Sequence, residues 1–389
     1  MAKKPVVLLQ IEATQVYGRG LIHGIIDYSH LYGPWTFLGP TPFFCTHDSI
    51  KKRIPIWQKT KPDGIILRDP KNVEHYLKMN IPIIISPTPI NKTVPCIRTN
   101  DEKIGCLVGD YFIERGFTSF AFCGFCKTAW SLDRFNAFNK RMQQNGSTVK
   151  QFSMTSQLTS LSGQQSNRLI KWLNSLPKPT GIMCCNDHMG WLVLTACETA
   201  GIKVPESIAV IGVDNDPLIC KLTLPHLSSI SLDSYQAGFD AAILLDRLMK
   251  GEKMNGQIIM HNPISLTVCQ SSDIYAVSDE SISKAFSFIK DNITKPLQVS
   301  DIAEAVGLSQ RQLFNKFKNH LNRTVHDEIK RMRVEYISNL LVETKLSITQ
   351  ISLKMGFSGP EHLSRYYKQR MRVSCQKYRS DRGSLQDLL

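Results

Sequence analysis

The sequence predicts an α/β region followed by an all-α tail, on three observations. Over roughly the first 270 residues, short buried-strand runs alternate with helical stretches. Near the C-terminus two look-alike segments recur 49 residues apart, one starting at Val299 and the other at Ile348. Residues 275–389 hold 19 Lys/Arg against 12 Asp/Glu, the same surplus of seven that the much longer first 274 residues carry. A tail that basic is suited to polyphosphate.

The front half, residues 1–274, opens with the strand run Val6–Gln10, a polar loop and a helix from about Arg19 to Tyr28. Further strands are predicted at Gly64–Leu67, Ile81–Ile85, Ser119–Cys123, Gly181–Cys185 and Ile208–Val213. Several end in polar loops that lead into apolar-periodic helices, the pattern of parallel sheets that bind ligands at their strands' carboxyl ends. At 389 residues the chain can bury two or three cores. Its 11 cysteines form no framework, Met-Ala-Lys-Lys-Pro leads into too short an apolar run for a signal peptide, and no stretch approaches a membrane span. A cytoplasmic protein without membrane contact is expected.

In the tail, residues 275–389, each repeat reads as a helix, a glycine turn (Gly307, Gly356) and a second helix. This gives two helix-turn-helix motifs, at about 298–319 and 347–370. Ser309 with Gln312, Ser347 with Gln350 and Ser358 with Glu361 fit the capping box. Pro360, two residues past the Ser358 cap, costs no intrahelical bond. Val325, Ile329, Met332, Tyr336 and Leu340 describe one long helix between the motifs. That rod would hold the two second helices about one DNA turn, roughly 34 Å, apart. On their outward faces lie Gln310, Arg311, Phe314 and Asn315, and Glu361, His362, Ser364 and Arg365. Arg311 and Arg365 suit guanine, Asn315 suits adenine, and Phe314 suits a thymine methyl; any of them could instead touch phosphate. Lys316, Lys318, Lys368, Arg370 and Arg372 read as phosphate contacts.

The tail resembles the AraC-type DNA-binding domain through Leu346-Ser-Ile-Thr-Gln-Ile-Ser-Leu-Lys-Met-Gly-Phe-Ser, Leu363-Ser-Arg-Tyr-Tyr-Lys and Val373-Ser-Cys-Gln-Lys-Tyr-Arg379. It departs at Cys375, where the family usually has proline, at Gly359-Pro360, and at Asn315, where arginine is common. The front half resembles the sugar-sensing domain of LacI-type regulators. The matching stretches start at Gly181-Ile-Met-Cys-Cys-Asn-Asp-His, Ala200-Gly-Ile-Lys-Val-Pro-Glu-Ser and Gly238-Phe-Asp-Ala-Ala-Ile. That resemblance implies a type I periplasmic-binding-protein-like fold of two α/β lobes clamping a sugar. It also implies that Arg134, Asn186 and Asp214 bond sugar hydroxyls. Trp130 could stack on a sugar ring or simply pack; Glu12, Tyr17 and Arg19 of the first loop are further ligand candidates, and Asp187 could cap the helix after its loop.

Sensor first and AraC-type reader last is the order of xylose operon regulators, a group the chain resembles along nearly its whole length. The resemblance implies a sugar-responsive activator of pentose (xylose-type) catabolic genes, binding double-stranded DNA half-sites as a homodimer and working with RNA polymerase. A repressor of the same architecture, or one answering another sugar or an oligosaccharide, stays open. A third reading, a thiol oxidoreductase using Cys123 and Cys126, would need a low-pKa thiolate. No catalytic, metal or cofactor motif is present.

Overall fold

The computed structural model describes residues 4–39, 61–68, 73–88, 93–154, 163–254, 256–276, 279–321 and 323–383. The chain divides into two compact units, Met1–Gly109 with Ser119–Ser272, and Asp110–Thr118 with Asp273–Leu389.

Unit 1 holds two sheets. The first contains β1 (Val6–Gln10), β2 (Thr36–Leu38), β3 (Gly64–Arg68), β4 (Ile83–Ser86), β5 (Cys96–Thr99) and β11 (Ile258–His261). Its order is β11-β5-β4-β3-β1-β2, and every pairing is parallel. The second contains β6 (Ser119–Phe125), β7 (Val149–Met154), β8 (Thr180–Cys184), β9 (Ile208–Asp214), β10 (Ser228–Leu232) and β12 (Pro263–Thr267). Its order is β12-β10-β9-β8-β6-β7, with β12 antiparallel at the edge. Strands covered on both faces read as unbroken apolar runs; Leu8, Ile65, Leu67 and Ile85 in one sheet and Ile182, Val210 and Ile211 in the other are fully buried.

The helices of this unit are α1 (Val16–Tyr32), α2 (Val73–Leu77), α3 (Asp101–Glu114, whose last turn belongs to unit 2), α4 (Ala129–Gln144), α5 (Gly163–Ser175), α6 (Asp187–Thr199), α7 (Pro217–Leu222) and α8 (Ser234–Met249). The chain passes between the sheets at Thr99–Asp101, at Leu232–Ser234 and at His261–Pro263. Two of these crossings are tied together, since Asn100 donates its backbone N–H to the His261 carbonyl (2.8 Å) and its side-chain amide to Asn262 (3.0 Å). Helix α1 starts three residues earlier than the sequence suggested, because Tyr17 extends the buried stripe of Leu21, Ile25 and Tyr28 by one turn. It packs on α8 almost backbone to backbone. A Cβ added to Gly24 would stand 2.1 Å from the Tyr235 carbonyl oxygen, and one on Gly238 would stand 2.0 Å from that of Leu21.

Unit 2 is helical: α9 (Glu280–Asp291), α10 (Val299–Ala305), α11 (Gln310–Leu321), α12 (Val325–Glu343), α13 (Ile348–Lys354), α14 (Pro360–Met371) and α15 (Cys375–Gly383). Helix pairs α10–α11 and α13–α14 are each joined through a glycine in the left-handed region, Gly307 (φ 68°) and Gly356 (φ 69°). The capping boxes at Ser309/Gln312 and Ser347/Gln350 form. The one expected at Ser358/Glu361 does not: Gly359 is the N-cap of α14, with no side-chain cap, and Pro360 takes the first helical position, where its missing N–H is harmless. Cys375 likewise opens α15 behind Ser374, whose hydroxyl accepts from Lys377 N–H. A first helical position needs no backbone donor, so proline and a small buried thiol are both tolerated there.

The single apolar stripe expected along the spacer divides between two cores. Val325 and Ile329 join Ile282, Phe286, Ile302, Leu313 and Phe317, whereas Val334, Ile337 and Leu341 join Ile351, Met355, Leu363 and Tyr367. Arg333, on the same helix, donates to the carbonyls of Ile293 (3.0 Å), Lys295 (2.5 Å) and Met355 (2.7 Å), stitching the link between α9 and α10 and the second motif to the spacer. Residues 110–118 contribute Arg115, which pairs with Glu335 (2.7 Å) and lies 3.6 Å over the Tyr111 ring. Arg331 bridges Glu328 and Glu335 beside it. Burial alone would raise Glu335, but Arg115 and Arg331 hold its carboxyl below the usual range. Among the described residues no helix is long and apolar enough to cross a membrane.

Overpacking at the α1–α8 contact is testable. Gly24→Ala is expected to destabilise the protein by about 1–3 kcal/mol, seen as a lower urea midpoint; an unchanged midpoint would show that the helices can part without cost.

Candidate functional site

A narrow cavity lies between the carboxyl ends of the two sheets of unit 1. The first sheet supplies Tyr17 of α1, Arg68 at the end of β3, Pro87 just past β4 and Thr99 at the end of β5. The second supplies Trp130 and Arg134 of α4 and Asp214 at the end of β9. Convergence at the carboxyl ends follows from parallel topology, because every strand's following loop emerges on that side.

Arg134 is the centre of the site. Its Nε donates to Asp101 (3.2 Å) and its Nη1 to the Cys185 carbonyl (2.5 Å), and Nη1 stands 3.9 Å from the Asp214 carboxylate. Its guanidinium lies 5.0 Å over the Trp130 ring. Thr99 donates a further hydrogen bond to Asp101 (3.1 Å). Across the cavity the Arg68 guanidinium lies 5.1 Å over Tyr17, whose hydroxyl meets Ser86 (3.4 Å). Arg134 thus stands between two carboxylates, Asp101 and Asp214, and Arg68 also acts electrostatically on Asp214.

Asp214 has φ 112° and Asn215 φ 50°, conformations costly for residues with a Cβ. The turn is held by Asn215, which donates its N–H to Ser229 (3.0 Å) and its amide to Ser231 (2.9 Å), and by Asp216 N–H, which donates to Asp187 (2.7 Å). Burial pushes the Asp214 carboxyl up to about 6, against the pull of Arg134 and Arg68. Burial drives Asp187 up as well; it receives the Ser229 hydroxyl at 2.5 Å.

Of the ligand candidates, Tyr17, Trp130, Arg134 and Asp214 line the cavity. Asn186 does not: its side-chain oxygen accepts from Met189 N–H (3.0 Å) and caps α6, so it, rather than Asp187, is the capping residue. Glu12 is engaged by the Thr14 hydroxyl. Arg19 pairs with Asp216 (3.2 Å), bracing the first α/β lobe against the second beside the cavity. Arg68, Pro87 and Thr99 were missed, although each sits where a strand of a parallel sheet ends. Cys123 is wholly buried and its thiol is pushed well up by burial, the opposite of a reactive thiolate.

In unit 2, Gln310, Arg311, Phe314 and Asn315 lie exposed on α11, and Glu361, His362 and Arg365 on α14, opposite the buried Leu313, Phe317, Leu363 and Tyr367. Ser364 is turned partly inward against the Cys375 thiol. Lys316 pairs with Asp279, the N-cap of α9, while Lys318 and Lys368 are exposed. Each of the two helices thus exposes a set of side chains on the face away from its own core.

Residues 110–272 match the family model of a periplasmic binding protein-like domain, and residues 302–381 that of a helix-turn-helix domain. The chain is 27% identical over 384 residues to the xylose operon regulatory protein of Haemophilus influenzae, covering 96% of this chain and 97% of that one. It is also 27% identical over 388 residues to the protein of that name from Escherichia coli K12, covering 97% of each. A solved xylose-binding transcription activator superposes with a TM-score of 0.61 at 26% identity, over 98% of this chain and 99% of that one. A periplasmic binding protein/LacI-type regulator from Alkaliphilus metalliredigens, solved with D-xylulofuranose, shares the fold of the front part (TM-score 0.58, 17% identity, 69% of this chain and 99% of that one).

Two outcomes follow from this geometry. Arg134→Met strands the buried carboxylates of Asp101 and Asp214 and is expected to cost about 3–5 kcal/mol, measured by urea unfolding. On a DNA fragment selected for binding, Arg311→Ala and Arg365→Ala should each cost about 1–3 kcal/mol and relax base preference. Lys318→Ala should weaken all sequences alike and lower the salt slope by about one, read by fluorescence anisotropy across a salt series.

Proposed function

In a transcription regulator whose periplasmic binding protein-like domain precedes a helix-turn-helix domain, we propose that the cavity of unit 1 takes an uncharged pentose. Sugar binding then changes how the tail engages DNA. The pairing of Arg134 carries this reading. Arg134 is already engaged by Asp101 and Asp214, so a phosphorylated or acidic sugar would have to displace a carboxylate to pair with it. A neutral polyol, by contrast, finds directional donors and acceptors.

The full-length relatives carry xylose in their names, and one solved relative is described as an activator. D-xylose is therefore the ligand we propose, with activation of pentose catabolic genes as the output, in the cytoplasm, from a homodimer acting with RNA polymerase on paired half-sites. The sugar must bind one conformation more tightly than the other, since equal affinity would shift nothing.

Calorimetric titration with D-xylose, D-ribose, L-arabinose, D-glucose, cellobiose and D-xylonate tests the ligand. D-xylose should bind and sharpen the protein's DNA retardation pattern. Binding of cellobiose or xylonate alone would overturn the reading, and loss of DNA binding on xylose addition would make the protein a repressor.

Affinity should also depend on pH. Asp214 faces Arg134, Arg68, Asp216, Asp101 and Tyr17, and only its ionised form accepts sugar hydroxyls on both oxygens. With its pKa at about 6 in the free site, affinity is expected to be full above pH 7 and about tenfold weaker at pH 5. Asp214→Asn should flatten the profile.

A further inference from the structure

We infer that Trp130 acts in ligand selection as a hydrogen-bond donor, its indole N–H reaching an oxygen of the bound sugar. This rests on the sugar-binding reading of the cavity and adds a specificity-determining contact to it. Trp130 lines the cavity yet is only 6% exposed. Among the described residues its Nε1 is buried without any hydrogen-bond acceptor. A buried indole N–H normally finds a partner, and leaving one unmet is costly.

The ring's surroundings exclude the simpler stacking role for one face of the indole. The Arg134 guanidinium lies 5.0 Å over the ring, and Phe125 meets the ring edge-on at 6.2 Å. Arg134 is itself tied to Asp101 and the Cys185 carbonyl, so it is not a flexible cover that a sugar could push aside. With the cation over one face, Trp130 keeps its edge N–H, a donor without acceptor character, to offer a ligand. An indole N–H reads an oxygen at one place and rejects a methylene there, because the deoxy ligand would leave the donor dry and unpaired. The pocket therefore requires oxygen on the sugar carbon that faces Trp130, in addition to the hydroxyls taken by Asp214.

The test is a calorimetric cycle on the full-length protein. D-xylose and its monodeoxy analogues are titrated into wild type and into Trp130→Phe, which keeps an aromatic ring and removes the N–H. The expected result is a roughly tenfold loss of D-xylose affinity in W130F. One deoxy analogue should be weak for wild type yet lose nothing further in the variant. Equal D-xylose affinity in both proteins overturns the inference and leaves the sugar reading standing. So does a set of deoxy analogues whose losses are the same in both. Failure of wild type to bind any sugar overturns the sugar reading and this one with it. If W130F does not fold, benzothienylalanine incorporated at position 130 retains the indole outline without the donor and is read by the same criteria.

Discussion

A guanidinium cannot be left unpaired in a protein interior, and the sensor site is organised around that constraint at Arg134. Its partners come from three separate parts of the chain: Asp101 opens α3, the Cys185 carbonyl follows β8, and Asp214 ends β9. Satisfying one buried cation thereby fixes the mutual placement of these segments. It also sets the electrostatics of the cavity, since the same cation that anchors Asp101 competes with burial for the proton on Asp214. The strained turn at Asp214 and Asn215 is affordable only because Ser229, Ser231 and Asp187 hold its backbone and amide groups.

The same logic recurs in unit 2 with backbone carbonyls in place of carboxylates. Arg333 is nearly buried and spends its donors on Ile293, Lys295 and Met355. Two small cores that share no buried residue are thus tied to one helix by a single side chain. Arg379 does similar work at the far end, donating to the carbonyls of Leu341 and Leu346. Directional bonds of this kind set the register of the two helix pairs more sharply than apolar contact, which tolerates sliding.

Much of this was legible in the sequence because periodicity reports burial. The unbroken runs at Val6–Gln10 and Ile208–Val213 announced strands, and the repeat around Gly307 and Gly356 announced paired helices. Short or partly exposed strands were silent: β2 has three residues and β7 carries Lys150 and Gln151 outward, so neither shows a run. The cavity was legible from its second lobe, where Arg134 and Asp214 sit in recognisable stretches. Arg68 and Thr99 were not, since a lone polar residue at a strand end has no local signature until the sheet order is known. Asn186 carries a second signal: an asparagine immediately before a helix is a capping signal, and its side-chain oxygen caps α6 here. Ser358 failed as a cap, since the glycine after it took the cap position and placed proline at the first helical residue.

Unit 2 is a mosaic in sequence, joining residues 110–118 from the middle of the chain to the helical tail. Arg115, from that insert, is the partner of Glu335 on α12, and its carbonyl accepts from Ala276 N–H. A transplant of the reader by one cut near residue 273 would leave those residues behind, stripping Glu335 of one of its two cations and Arg331 of the balance that they share. A chimera built from this chain keeps the Arg115–Glu335–Arg331 cluster whole only if residues 110–118 travel with the tail.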